Sequence, residues 1–257
     1  EGGGGEPGGF LNRGLGLDLR GLCSSAADGD ARRRVFASRL PATLTAMLPI
    51  LVLDVLLALP IAMWVAYRRG SLADRAIMVV TTVALSISFL VYIIVGQYLF
   101  GFQLGWFPVQ GWSDNVWTNL ATYVPLPVLL AVMVGIAPQT RLYRSFFLDE
   151  LGHDYVRTAR AKGLSESVVL FRHVLKNAMI PILTGVVVAI PLLFIGGLIT
   201  ESFFGIPGLG SYTIEAIQAQ DFGVVRAMVF IGSVLYIGGL ILTDLSYTLV
   251  DPRVRLG

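Results

Sequence analysis

The chain has 257 residues, 55% of them hydrophobic and only 14% charged, with a formal net charge of +2 and a mean hydropathy of +0.73. A soluble domain carries roughly 25% charged residues, so this composition excludes an ordinary water-soluble enzyme, gives no basic surface for nucleic acid, and points to a polytopic membrane protein. One cysteine, Cys23, and two separated histidines, His153 and His173, exclude an internal disulfide and offer no metal-ligand cluster.

Residues 1–39 differ in kind from the rest. "EGGGGEPGG" is flexible low complexity, and "DGDARRRVFASRL" predicts a short interfacial helix. Five apolar runs follow, at about 40–66, 76–100, 120–138, 178–200 and 227–250. Each is long enough to cross ~30 Å of hydrocarbon at ~1.5 Å per residue. Prolines inside them (Pro49, Pro60, Pro125, Pro127, Pro181, Pro191) predict kinks that membrane helices tolerate.

Lysine and arginine set the expected orientation. Arg68, Arg69 and Arg75 follow the first run, Arg141, Arg144, Arg157, Arg160, Lys162, Arg172 and Lys176 the third, and Arg253 and Arg255 the last. Loops 101–119 and 201–225 hold none. The basic loops and the C-terminus are therefore expected in the cytoplasm, and the loop with Trp106, Phe107, Trp112 and Trp117 outside. Five spans then place residues 1–39 outside, as an external, periplasmic segment. Its arginines (Arg13, Arg20, Arg32, Arg33, Arg34, Arg39) predict an additional exporting span upstream of Glu1, the sequence being read as a fragment.

Between the third and fourth runs lies a cationic island, "DYVRTARAKGLSESVVLFRHVLKNAM". Asp154 suits an N-cap, Arg160 and Lys162 suit a last turn, and Gly163 suits the left-handed C′ position. Ser165 can cap a second helix starting at Glu166. A helix of about two turns is marginal alone in water, so packing must hold it. Two readings stand here: an amphipathic loop on anionic lipid, or a rigid knob that docks into a partner protein.

The residues of the island resemble the cytoplasmic coupling loop of permease subunits of binding-protein-dependent ABC importers, in the dipeptide/oligopeptide branch. The family motif is Glu-Ala-Ala, three residues, Gly, and later Ile-x-Leu-Pro. Arg157, Thr158 and Ala159 occupy the first triplet and Gly163 the glycine, while His173, Leu175 and Lys176 stand where Ile, Leu and Pro would be. "ESFFGIPGLGSYTIEAIQAQDFGVVRAM" and "LTDLSYTLVDPRVR" resemble that branch's last external loop and C-terminal end, and "SRLPATL" and "LGWFPVQG" resemble its B-type member. The resemblance runs from about residue 38 to the end.

It implies an all-α, type I ABC importer permease fold in residues 40–257, with a coupling region at 141–177, in a bacterial inner membrane. It further implies a pathway shared with a C-type permease, two cytoplasmic ABC ATPase subunits and an extracytoplasmic substrate-binding protein. ATP and Mg would belong to the ATPases; the sequence has no GxxxxGK[ST] loop and expects no cofactor of its own. The coupling set would be Asp154, Tyr155, Arg157, Thr158, Ala159, Arg160, Ala161, Lys162, Gly163, Leu164 and Ser165. Ala159, Ala161 and Gly163 are expected to give close fit to the partner, and Arg157, Arg160 and Lys162 to orient it. No two catalytic groups need to meet, as in a transport subunit that is not an enzyme.

Three further features carry expectations. In "GIPGLG", Gly205, Pro207, Gly208 and Gly210 are expected to form a re-entering turn with unusual backbone angles, or an external gate or landing surface for the binding protein. Glu201, Glu215 and Asp221 are expected as solvated loop charge. Asp54, in the middle of the first run, is a candidate for lining a polar pathway or binding a peptide amine, against an interhelical hydrogen bond; Asp244 is expected to pair with Arg253. Asp54 also sustains the alternative, an ion-coupled secondary transporter. The substrate (dipeptide, oligopeptide, nickel chelate, glutathione or peptide antibiotic) is not named by the sequence.

Overall fold

The computed structural model describes residues 19–193 and 196–250, with side chains from 35 to 242 apart from 192, 194 and 195. Two compact units divide the chain, Glu1–Arg39 and Leu40–Gly257; the side chains discussed below belong to the second. Asp244 and Arg253 lie outside the described side chains.

Regular structure in the described residues is helical throughout: α1 (Leu19–Tyr67), α2 (Leu72–Ser86), α3 (Phe89–Gly96), α4 (Val116–Thr118), α5 (Pro125–Leu151), α6 (Asp154–Ala161), α7 (Glu166–Val168), α8 (Leu175–Leu193), α9 (Leu198–Phe204), α10 (Leu209–Gln218) and α11 (Phe222–Val250). Wider π-helical turns continue α3, α4 and α7 at Gln97–Gln103, Asn119–Tyr123 and Val169–Val174. Four stretches are long and apolar enough to cross a membrane: Val35–Tyr67, Pro125–Leu151, Glu166–Pro191 and Phe222–Leu242. Leu48, Val52 and Leu56, one turn apart on α1, are 52%, 45% and 61% exposed, an apolar stripe that water would not tolerate and lipid does.

The run at 76–100 is not the single straight span expected. α2 and α3 meet at an angle of 87° and make a fifth crossing only if the bent pair counts as one. Neither proline nor glycine causes the break; Ile87 and Ser88 simply take extended backbone, with ψ of 129° and 141°. The carbonyl of Ala84 that this opens accepts from Ile87 N at 3.4 Å and from the Tyr92 hydroxyl at 3.1 Å. Those two donors remove the cost of a bare carbonyl in hydrocarbon.

Among the described residues, the two largest apolar cores lie at different depths. One gathers Ala58, Ala62 and Ala66 of α1 with Tyr143 and Phe147 of α5, Val156 and Ala159 of α6, and Ala178 and Ile182 of α8. The other gathers Ala42, Ala46 and Met47 with Ile93, Leu126, Phe204 and Ile206. Along α1 the two are separated by about 16 residues, or ~24 Å of helix. Near the second core, loop 101–119 and the turn before it reach α9: Gln97 Nε2 and, from the loop, Gln110 Nε2 donate to Phe203 O at 3.0 and 2.9 Å, and Gly111 N to Phe204 O at 3.3 Å. The two loops without lysine or arginine therefore meet at one end.

At the basic end a buried ion pair joins α2 to α5. Asp74 Oδ1 and Oδ2 accept from Arg144 Nε and Nη2, both at 2.9 Å. Asp74 Oδ2 also takes Gly70 N at 2.9 Å, while Ser71 Oγ caps Asp74 N at 3.2 Å. Three residues earlier on α5, Arg141 Nη2 donates to Thr82 Oγ1 at 2.9 Å. Removing one partner of a buried pair leaves an uncompensated charge. With Arg144 18% exposed, Arg144→Ala is expected to cost about 2–3 kcal/mol, less than for a fully buried pair. Thermal unfolding of the purified chain should show the double variant with Asp74→Ala losing less than the sum of the two single losses.

Candidate functional site

The first site is formed by α6 and the Gly163 turn that leads into α7. His153 is the N-cap residue, one position before the expected Asp154, which instead opens the helix with its carboxylate at the positive end. The stop is as the sequence predicts. Gly163 has φ of +75°, Gly163 N donates to Arg160 O at 2.9 Å and Leu164 N to Ala159 O at 3.4 Å. That is a Schellman closure, which a Cβ at this φ would strain. Ser165 stands at the N-cap of α7, without a side-chain cap bond.

The helix has an inner and an outer face. Val156 is fully buried and Ala159 is 6% exposed, both in the core that α1, α5 and α8 share. Tyr155 donates to Glu150 Oε2 at 2.5 Å; burial, and then Glu150, push its hydroxyl up to about 12, so it stays a neutral donor. Ala159 therefore belongs to the seat of the helix, and the expectation that it supplies close fit to a partner is corrected. Asp154, Arg157, Thr158, Arg160, Ala161, Lys162, Gly163, Leu164 and Ser165 are exposed.

The cations on that outer face are not equivalent. Arg160 is taken up by Glu166 across the Gly163 turn, with Nε–Oε1 at 2.9 Å and Nη2–Oε2 at 3.2 Å. That pair fixes α6 against α7 and leaves Arg160 less free to orient a partner than expected. Arg157 lies 3.5 Å from Asp154 with both side chains solvated, a contact worth little. Lys162 makes no ion pair among the described residues.

The Gly-Pro turn between α9 and α10 is built around Glu201, which is not the solvated charge that its place in a loop predicts. Glu201 is fully buried. Its Oε2 accepts from Gly210 N at 2.7 Å and Ser211 N at 3.1 Å, the first-turn donors of α10, and Oε1 accepts from Gly197 N at 3.3 Å. The Thr43 hydroxyl of α1 donates to the same carboxylate and accepts from Leu209 N at 2.8 Å. One carboxylate thus caps a helix and ties it to α1.

The glycines of the turn serve two different needs. Gly205 ends α9 at φ of +66°, as an unusual backbone angle requires. Gly208 and Gly210 instead make room: a Cβ on Gly208 would collide with the Glu201 carboxylate, and one on Gly210 would lie 2.9 Å from Oε2. Pro207 joins Gly205 and Ser211 around an open cavity of about 220 Å³. No local sequence pattern marks Glu201: Gly197 N lies four residues back, but its other donors come from nine and ten residues ahead and, through Thr43, from α1.

Asp54 turns toward α5, where its carboxylate rests on Gly135, leaving no room for a Cβ there. Its Oδ1 is buried without a hydrogen-bond partner. A cavity of about 410 Å³ opens between α1, α5 and α8, lined among others by Leu51 and Val55 of α1 and by Gln139, Tyr143, Pro181 and Thr184; Asp54 is not among its lining residues. The structure does not bring Asp54, α6 and the Gly-Pro turn together. Among the described residues no cluster of His, Cys, Asp and Glu could hold a metal ion.

Residues 58–256 match the family described as binding-protein-dependent transport system inner membrane component. The chain is 33% identical over 225 residues to the probable peptide ABC transporter permease protein y4tP of Sinorhizobium fredii, covering 86% of this chain and 72% of that protein. It is 34% identical over 223 residues to the oligopeptide transport system permease protein AppB of Bacillus subtilis, covering 85% and 70%. The di/tripeptide transport system permease protein DppB of Pseudomonas aeruginosa is 32% identical over 242 residues, covering 86% and 72%. A crystal structure of an amino acid ABC transporter with histidines superposes with a TM-score of 0.56 over 89% of this chain and 97% of the other, at 15% identity. At that identity the likeness bears on the fold alone.

Proposed function

The chain belongs to the family of binding-protein-dependent transport system inner membrane components, a multi-pass membrane subunit with the type I ABC importer permease fold, and on that footing we propose how it works. It forms half of a translocation pathway for peptides or peptide-like solutes in a bacterial inner membrane, the substrate class following the names of its relatives. A C-type permease supplies the other half, two ATPase subunits carry ATP and Mg, and an extracytoplasmic binding protein delivers the solute. The basic end faces the cytoplasm. The ion-coupled alternative finds no support in this family.

One observation carries the coupling role: α6 is seated from within and stopped rigidly, and its outer face is left uncovered. Val156 and Ala159 anchor the helix to α1, α5 and α8, so a push on the outer face reaches three long helices directly. Lys162, Ala161 and Leu164 form the contact surface, and the Arg160–Glu166 pair keeps the knob from hinging at Gly163. The Gly-Pro turn, held by Glu201, is the external gate or binding-protein contact. Asp54 is the pathway candidate, since a donor from the solute or the second permease would complete its orphaned oxygen.

Gly163→Pro tests this. Proline cannot take a φ of +75° and has no N–H for Arg160 O. Membrane levels are expected to stay near wild type, because Gly163 is exposed and has nothing within 4 Å of an added Cβ. Substrate-stimulated ATP hydrolysis by the assembled complex should fall at least tenfold, equivalent to ~1.4 kcal/mol or more of lost coupling. Wild-type transport with the ATPase still bound would leave α6 as a lipid-surface helix.

A further inference from the structure

The apolar part of α1 ends at Tyr67, and Arg68 and Arg69 follow directly. Hydropathy places this point at the level of the lipid phosphates, where aromatic and basic residues collect. A cavity of about 240 Å³ opens there between the ends of α1 and α5 and the last turn of α6. Ala66, Leu148 and Leu151 give it an apolar lining, and Tyr67, Arg69, Gly152 and Arg160 complete it. It is smaller than the ~300–1,000 Å³ of sites that enclose drug-sized ligands, so it suits a headgroup better than a nucleotide or a peptide.

The guanidinium groups around it are in different states. Arg68 stacks over Trp64, with Cζ 5.0 Å from the ring centroid, and Arg160 shares its N–H groups with Glu166. Arg69 makes no ion pair within 4 Å among the described residues. The carboxylate that feels its charge, Asp74, is already bonded to Arg144 and Gly70 N. A guanidinium with its donors unspent therefore stands beside an apolar wall at the depth where phosphodiesters lie.

We propose that this cavity binds the phosphate headgroup of an anionic membrane lipid, with Arg69 as its principal ligand. The planar fork of Arg69 matches two phosphate oxygens, Tyr67 flanks the headgroup, and Ala66, Leu148 and Leu151 receive the first part of the acyl chains. Basic pockets between membrane helices recognise anionic lipids in this way. The site needs α1 to cross the membrane and α6 to sit against α5 as it does in the structure, but not that α6 docks an ATPase. Its chemistry would also accept free inorganic phosphate, and the experiment below separates the two.

Native mass spectrometry of the full chain, offered equal amounts of phosphatidylglycerol and phosphatidylcholine, is that experiment. The wild type is expected to retain phosphatidylglycerol in roughly tenfold preference, the scale of a charge-assisted bidentate contact. Arg69→Gln should abolish the preference and Arg69→Lys should reduce it, because lysine keeps the charge and loses the fork. Arg75→Gln, which removes an equal charge at the same end from a residue that does not line the cavity, should leave it intact. Equal preference in wild type and Arg69→Gln, or equal loss in Arg75→Gln, would overturn the site. A phosphate adduct that millimolar inorganic phosphate forms without lipid, displacing phosphatidylglycerol, would overturn the lipid as its occupant.

Discussion

Replacing Glu201 by alanine is expected to cost the fold about 3–5 kcal/mol, among the largest effects of any single substitution in the chain. The variant loses a fully buried acceptor and strands the N–H groups of Gly210, Ser211 and Gly197 without the oxygens that they reach now. Bonds to an ionised group contribute roughly 1.5–3 kcal/mol each, and an unpartnered buried donor costs ~1–3 kcal/mol, though such terms do not add fully. Thermal unfolding of the purified chain should register a fall on the order of ten degrees. Gly208→Ala should reproduce much of it from the other side, since its Cβ displaces the same carboxylate. Little change in either variant would mean that the turn does not need its buried carboxylate.

Glu201 also sets a pH dependence whose sign is fixed. Burial raises its carboxyl above the ordinary 4.5, and the N–H of Ser211, the Thr43 hydroxyl and the N–H groups of Gly210 and Gly197 pull it only partly back. A folded-state value above the unfolded one means that folding takes up a proton. The contribution is complete below the unfolded value and is lost as pH rises through the folded one. Acidification through that window should therefore raise the unfolding midpoint of the wild type relative to Glu201→Gln, which has nothing to titrate.

Ala159→Glu is expected to be comparably damaging, and for a reason internal to this chain. The side chain enters the apolar core formed with Ala62, Phe147 and Ala178, where a carboxyl group either stays neutral or pushes α6 off its seat. A cost of about 3 kcal/mol or more results. Lys162→Ala, on the outer face, should leave thermal unfolding within ~0.5 kcal/mol of wild type while weakening retention of the ATPase. The pair separates seat from contact. A stable Ala159→Glu protein that has lost only its ATPase would return Ala159 to the interface.

Hydropathy locates the membrane-crossing material, because a span is a bulk property of about twenty residues. It places ends poorly. α5 runs on to Leu151 and the fourth span begins at Glu166, since a helix continues past the point where its side chains become charged. The break at Ile87 is invisible in the sequence because an average over a window does not register two residues of extended backbone without proline or glycine. Gly163 is legible for the opposite reason: a helix stop is decided within a few residues of chain. Glu201 depends on Gly210 and Ser211, 9 and 10 positions away, the Asp74–Arg144 pair spans 70 positions, and the burial of Ala159 depends on other helices; no local pattern carries such distances.

The double attachment of α5 to α2 has a mechanical consequence. A lone ion pair at Arg144 would act as a swivel, and either helix could roll about it. Arg141, ~4.5 Å along the axis, holds Thr82 as well, and two anchors spaced along α5 fix the angle at which the two helices cross, so that they tilt together. Any stroke entering through α5 is therefore shared with α2 as a common tilt. Probes placed on the two helices should keep their mutual separation through the transport cycle.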